Sequence, residues 1–140
     1  MSLRDRAYWI VENAAAIAGD THLVEDCTDN SDEYNLHLVT RGEKPLCDPP
    51  RYMTLGEIRA LPQVEGLELA APRVWLCGGW HNEPLFGKPE HIEAYVQACK
   101  LRNRGMDPEA DALFGLAFGY PEDKIARFVL NGIERYGDTR

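Results

Sequence analysis

The segment DALFGLAFGYPEDKIARFVLNGIERYG, Asp111 to Gly137, sets Gly115, Gly119 and Ile125 at the spacing of two helices that cross closely about a tight turn. A small residue in the first helix and a glycine at the turn let the two backbones approach a β-branched side chain in the second. Phe114, Phe118, Tyr120 and Phe128 fall at the apolar contact positions of such a hairpin. Ala110, Leu113, Phe114 and Ala117 make a stripe in the first helix, and Ile125, Phe128, Val129, Ile133 and Tyr136 one in the second. Ile92, Tyr95, Val96 and Cys99 predict a third helix just upstream, and Pro89, Pro108 and Pro121 stand near the three first turns. The C-terminal part, 88–140, is therefore read as a three-helix subdomain containing a helix-turn-helix-like αα-hairpin.

DNA readers use the same geometry, but charge opposes that use here. The first turn of the second helix is Pro121, Glu122 and Asp123, with only Lys124 and Arg127 to meet phosphates. From Asp107 to Arg140 seven acids face four bases, which works against the phosphate contacts that dominate nucleic-acid affinity. Two acids at a helix N-terminus also suit the helix dipole without any ligand. The hairpin is read first as structural.

Toward the N-terminus, Leu3, Ala7, Ile10, Val11, Ala14 and Ala18 recur at helical spacing behind Ser2 and Asp5, and Gly19 closes the run. Thr54 and Glu57 form a capping box with Met53 and Ile58 as its staple, which predicts a short helix to about Leu61. VEGLEL and RVWLC read as strands, and RGEKPLCDPP as a loop. HLV and YNLHLVT flank an acidic run, and Tyr34, Leu36 and Leu38 would share one strand face. Asp, Asn and Ser bond their own backbone in turns, so TDNSDE is expected to be the tip of an acidic β-hairpin. The whole is one α+β domain, 1–140: an N-terminal helix and a small antiparallel sheet over 1–87, then the helical subdomain.

The acidic run EDCTDNSDEYN, Glu25 to Asn35, resembles the calcium-binding stretch of an LDL-receptor class A repeat. The resemblance covers about a dozen residues and implies calcium ligation by Asp26, Asp32 and Glu33, because a hard cation gathers several carboxylates around one loop. The remaining ligand position holds His22, and of the repeat's six closely spaced cysteines only Cys27 is present. An EF-hand fails as well, with Ser31 at the tight-turn glycine and His37 at the bidentate glutamate. The run is read as a solvated turn whose acids Asp26, Asp29, Asp32 and Glu33 are candidates for partner binding.

In VWLCGGWHNEPLF a strand end at Cys77 precedes a glycine pair and a loop with Trp80, His81 and Glu83. Cys77 with His81 or His91 is a candidate nucleophile and base, and Cys77, His81, His91 and Cys99 are the metal candidates, at spacings that match no zinc finger. The plainer reading makes Cys77 core, with Trp80 and Phe86 covering the sheet edge. As tryptophan concentrates at interface centres, Trp80 is a candidate contact. Lys100, Arg102 and Arg104 form the one basic cluster, suited to an acidic partner, RNA or a second copy of the chain.

Fifteen Lys and Arg against 23 Asp and Glu leave a net charge of −8, which repels nucleic acid and anionic membrane and favours a basic partner surface. The longest uncharged run, Ala112 to Pro121, has ten residues and cannot span a bilayer. Four cysteines without a C-x-x-C pair, behind an N-terminus interrupted by Asp5 and Glu12, read as reduced thiols in a cytoplasmic protein. The expected function is a non-enzymatic protein-binding module of inhibitor or adaptor type, with no cofactor. The alternatives are a nucleic-acid-binding regulator built on residues 111–130 and a small Cys/His enzyme or zinc site at Cys77 and His81; self-association stays open.

Overall fold

The computed structural model describes residues 1–18 and 31–136, with the side chains of 135 and 136 left aside. Asp26, Asp29, His22 and Cys27 lie outside the described residues. Within them the chain is α+β: seven helices, a three-stranded antiparallel sheet and a separate two-stranded hairpin.

Helix α1, Leu3–Glu12, begins where Ser2 Oγ accepts the Asp5 amide at 3.0 Å, and it buries Ala7 and Ile10. It is shorter than its apolar spacing predicts. Asn13 ends it by donating its side-chain amide to Trp9 O, and a separate short turn, α2, follows over Ala14–Ile17.

The strand expected to close the acidic hairpin does not form. The predicted strand YNLHLVT lies in helix α3, Asp32–Thr40. Ser31 caps it by accepting the Tyr34 amide at 3.2 Å, and Asp32 and Glu33 occupy the dipole-favoured first turn. Leu36, Val39 and Thr40 supply the buried helical face, whereas Tyr34, first of the supposed strand face, is exposed.

Inside the expected loop lies strand β1, Leu46–Cys47, followed by helix α4, Leu55–Arg59, whose Thr54–Glu57 capping box is complete. Ile58 is buried with Met53 packed against its cluster. Strand β2, Glu68–Ala70, starts later than VEGLEL suggests, after Gly66 turns the chain at φ 87°. Strand β3, Arg73–Leu76, pairs with β4, Gly79–Asn82, in a stretch expected to be loop. Strand β5, Leu85–Gly87, is the middle of the three-stranded sheet, ordered β1-β5-β2, and is buried throughout. A Cβ at Gly87 would collide with the Pro45 carbonyl oxygen and stand 2.7 Å from Leu46 Cα, so only glycine lets β1 lie against β5 there.

Helices α5, Pro89–Asn103, α6, Asp107–Phe118, and α7, Glu122–Tyr136, complete the fold. Gly119 ends α6 in the left-handed region at φ 83°, where the Tyr120 amide donates back to Gly115 O. Lys44 Nζ donates to Phe118 O at 3.0 Å and so ties the β1 loop to the same helix end. Helix α1 packs on α6 and α7, joined by an ion pair of Arg6 with Glu122, and one core runs from Ala7 through Leu85 and Leu113 to Val129. The αα-hairpin is present, but Phe128, expected as an apolar contact, is exposed. Among the described residues no helix is long and apolar enough to cross a membrane.

Candidate functional site

The β3–β4 hairpin turns on two residues, Cys77 at φ 54° and Gly78 at φ 79°. Two successive positive φ values are those of a type I′ turn, whose twist matches that of paired strands. Cys77 is accordingly exposed at the turn, not in the core, and Phe86 is buried in the middle strand, not laid over an edge.

Trp75 stands directly opposite Trp80. The Glu83 amide donates to Pro72 O at 3.0 Å, which fixes the alternation of the ladder. The pairs 74/81 and 76/79 therefore exchange main-chain bonds, while 73/82 and 75/80 do not. Side chains of a non-bonded pair approach more closely. The two indoles meet edge to face, centroids 5.5 Å apart at 79°, yet remain 42% and 57% exposed. Arg73 lays its guanidinium 5.3 Å from the Trp80 centroid on that outer face. The inner face holds Val74, buried, and Leu76, packed on the main core.

One side chain bonds this hairpin to the body, and a second links its two strands. Asn103, at the end of α5, donates its amide to Trp75 O at 2.8 Å. His81 Nε2 lies 3.0 Å from Leu76 O, a contact in which the ring N–H donates. Lys100 lies one turn ahead of Asn103 on α5, and Arg104 follows it. Both are exposed, and among the described residues neither they nor Arg73 forms an ion pair.

Arg102 separates from the other two bases of its cluster. It pairs with Asp111, lies 3.9 Å from Asp107 and covers the Phe114 ring, so it ties α5 to α6. Burial pushes the Asp111 carboxyl above the usual range in spite of that partner. Asp32 and Glu33 sit on α3, where Glu33 accepts the Tyr52 hydroxyl at 2.8 Å.

The four metal candidates do not come together. Cys99 is buried, His91 Nδ1 lies 3.0 Å from Ala117 O, and Cys77 is in the hairpin turn. Among the described residues no three His, Cys, Asp or Glu side chains are grouped as a metal would require. Sequence reasoning misses Arg73 and Trp75. The signal that finds them is the symmetry of RVWL and GWHN about a two-residue Cys-Gly turn.

Comparison with known protein families, characterised proteins and solved structures finds no match to this chain.

Proposed function

We propose that this chain is a non-enzymatic protein-binding module, of inhibitor or adaptor type, that takes its partner on the outer face of the β3–β4 hairpin. The observation that carries the reading is the Trp75–Trp80 pair, two exposed indoles on a strand pair held by Asn103 and by its own turn. Rigid, exposed tryptophans give large contact area at little entropic cost, and interface hot spots are enriched in Trp and Arg. The net charge of −8 acts at long range and favours approach to a basic surface. Contact chemistry is local, and at this face Arg73 contributes a cation. A cytoplasmic setting, in which the thiols stay reduced, belongs to the same proposal.

The test is capture of binding proteins from host lysate by the full chain and by a Trp75→Ala/Trp80→Ala variant, each with and without nuclease. The expected result is one protein retained after nuclease and lost with the variant. Equal retention by both chains overturns the reading. Capture that disappears with nuclease supports a nucleic-acid regulator built on the Gly115/Gly119 hairpin instead.

A further inference from the structure

Strand β4 is the free edge of its sheet. The ladder alternation turns the amide and carbonyl of Trp80 and of Asn82 away from β3, and among the described residues none of these groups takes a main-chain partner. The opposite edge differs, because Asn103 covers the Trp75 carbonyl. Exposed edges are commonly blunted by a charge, a proline or a bulge. The stretch Gly79–Asn82 carries no Lys or Pro and pairs with β3 without a bulge.

An edge of this kind accepts another extended chain. Resting on the binding reading above, we infer that the outer edge of β4 receives an extended segment of the partner protein as an added strand, bonded to the main chain of Trp80 and Asn82, with a carboxylate presented to Arg73. An added strand would run about 4.8 Å from β4, placing alternate side chains beside Trp80 and Asn82 on the outer face. Arg73 is drawn over Trp80, so its charge already lies on β4, without an ion pair among the described residues.

Local charge selects this occupant over two others. A second copy docked antiparallel about a two-fold axis would bring two Arg73 side chains onto one face, and its Gly79–Asn82 strand carries no acid to meet them. Nucleic acid is opposed by the net charge of −8. It would also find no parallel pair of open rings, since Arg73 already covers Trp80 and Trp75 meets it at 79°.

The test selects a phage-displayed library of random eight-residue peptides on the full chain and measures the recovered peptides against variants. Asn82→Pro removes an outward amide and leaves the β3–β4 ladder intact, because residues 73 and 82 exchange no main-chain bond. Asn82→Ala keeps that amide. The expected result is peptides with Asp or Glu two positions from an apolar residue, whose affinity falls up to about tenfold with Asn82→Pro, the worth of one main-chain bond, and is unchanged by Asn82→Ala. Arg73→Gln should weaken them severalfold, with partial recovery in Arg73→Lys. Loss on Trp75→Ala/Trp80→Ala without loss on Asn82→Pro overturns edge docking and leaves the proposed function standing. Peptides without acids, indifferent to Arg73→Gln, overturn the carboxylate contact. Failure to recover any peptide sensitive to these changes counts against both.

Discussion

A Cβ on Gly115 would stand 2.7 Å from Ile125 Cγ1, so α6 and α7 touch through a hydrogen atom and no larger group fits. Gly115→Ala should therefore destabilise the fold by about 1–3 kcal/mol, the usual result of overpacking, even though alanine is the better helix former. Ile125→Ala alone should cost about 2–5 kcal/mol by leaving a cavity. The double variant should lose clearly less than the sum, since each change relieves the other. Urea unfolding of the four proteins checks this, and strict additivity would contradict the close crossing.

Gly87 meets main chain instead of a side chain. Its missing Cβ would collide with the Pro45 carbonyl oxygen, and β1 and β5 cannot part without losing the register Leu46↔Gly87. Gly87→Ala should be more damaging than Gly115→Ala, and trimming a neighbouring side chain should not rescue it. Soluble yield and urea midpoint, compared in Gly87→Ala and Gly87→Ala/Pro45→Ala, give the readout.

The described thiols should separate cleanly in reactivity. Burial pushes Cys47 up to about 12, with Asp48 adding to the shift, and burial also raises Cys99. The thiolate is the reactive form, so neither should react while the protein is folded. Cys77 is exposed in the hairpin turn. In a Cys27→Ser background, iodoacetamide followed by peptide mass mapping should modify Cys77 alone, and Cys47 and Cys99 only after denaturant is added.

How much of this was legible in the sequence depended on the range of the interactions involved. Helix starts are local, so Ser2, Thr54 with Glu57, and the proline-led helices read correctly. The αα-hairpin was legible because Gly115, Gly119 and Ile125 encode a close approach within one short segment. Helix α3 was misread because Tyr34, Leu36 and Leu38 alternate like a strand, while Leu36 and Val39 equally fit a helix behind the Ser31 cap; the core that faces them decides. Strands β1 and β5 were invisible for a different reason. Each is two or three residues long and exists only through its partner across the sheet. Residue type alone marks Trp80 as a contact, but its pairing with Trp75 depends on the turn at Cys77–Gly78, which sets the strand register.

Asp48 and Glu122 should give opposite pH dependences. The Asp48 carboxyl is held above its usual range by burial first, then by Glu83 and Asp32, against the pull of Lys44 and Arg51. A raised carboxyl opposes folding when ionised, so its cost is present at neutral pH and disappears as pH falls below the unfolded value. Asp48→Asn should raise Tm at pH 7, with the gain shrinking toward pH 4. Glu122 is held below its usual range by its bond from Arg6, so its contribution is present at neutral pH and is lost only as pH falls through that lowered value. Arg6→Gln should remove this second dependence and leave the first. Melting curves of the three proteins between pH 3 and 8 separate the two, and a lower Tm for Asp48→Asn at pH 7 would reverse the sign assigned to Asp48.

The hairpin that carries the Trp pair is not optimally encoded at its turn. Cys77 holds φ 54°, a left-handed conformation costing an L-residue with an ordinary side chain about 1–2 kcal/mol, which asparagine tolerates far better. Cys77→Asn would convert the turn to Asn-Gly, the strongest type I′ pair, and the residue is exposed, so no core contact is given up. The variant should gain about 1 kcal/mol in urea unfolding, the lower end of that left-handed cost. Cys77→Val should lose stability, since a β-branched residue is poorly tolerated at positive φ. If Asn and Val behave alike, strain at this position does not contribute to stability, and the stiffness of the Trp75–Trp80 face must come from Asn103 and the inner contacts of Val74.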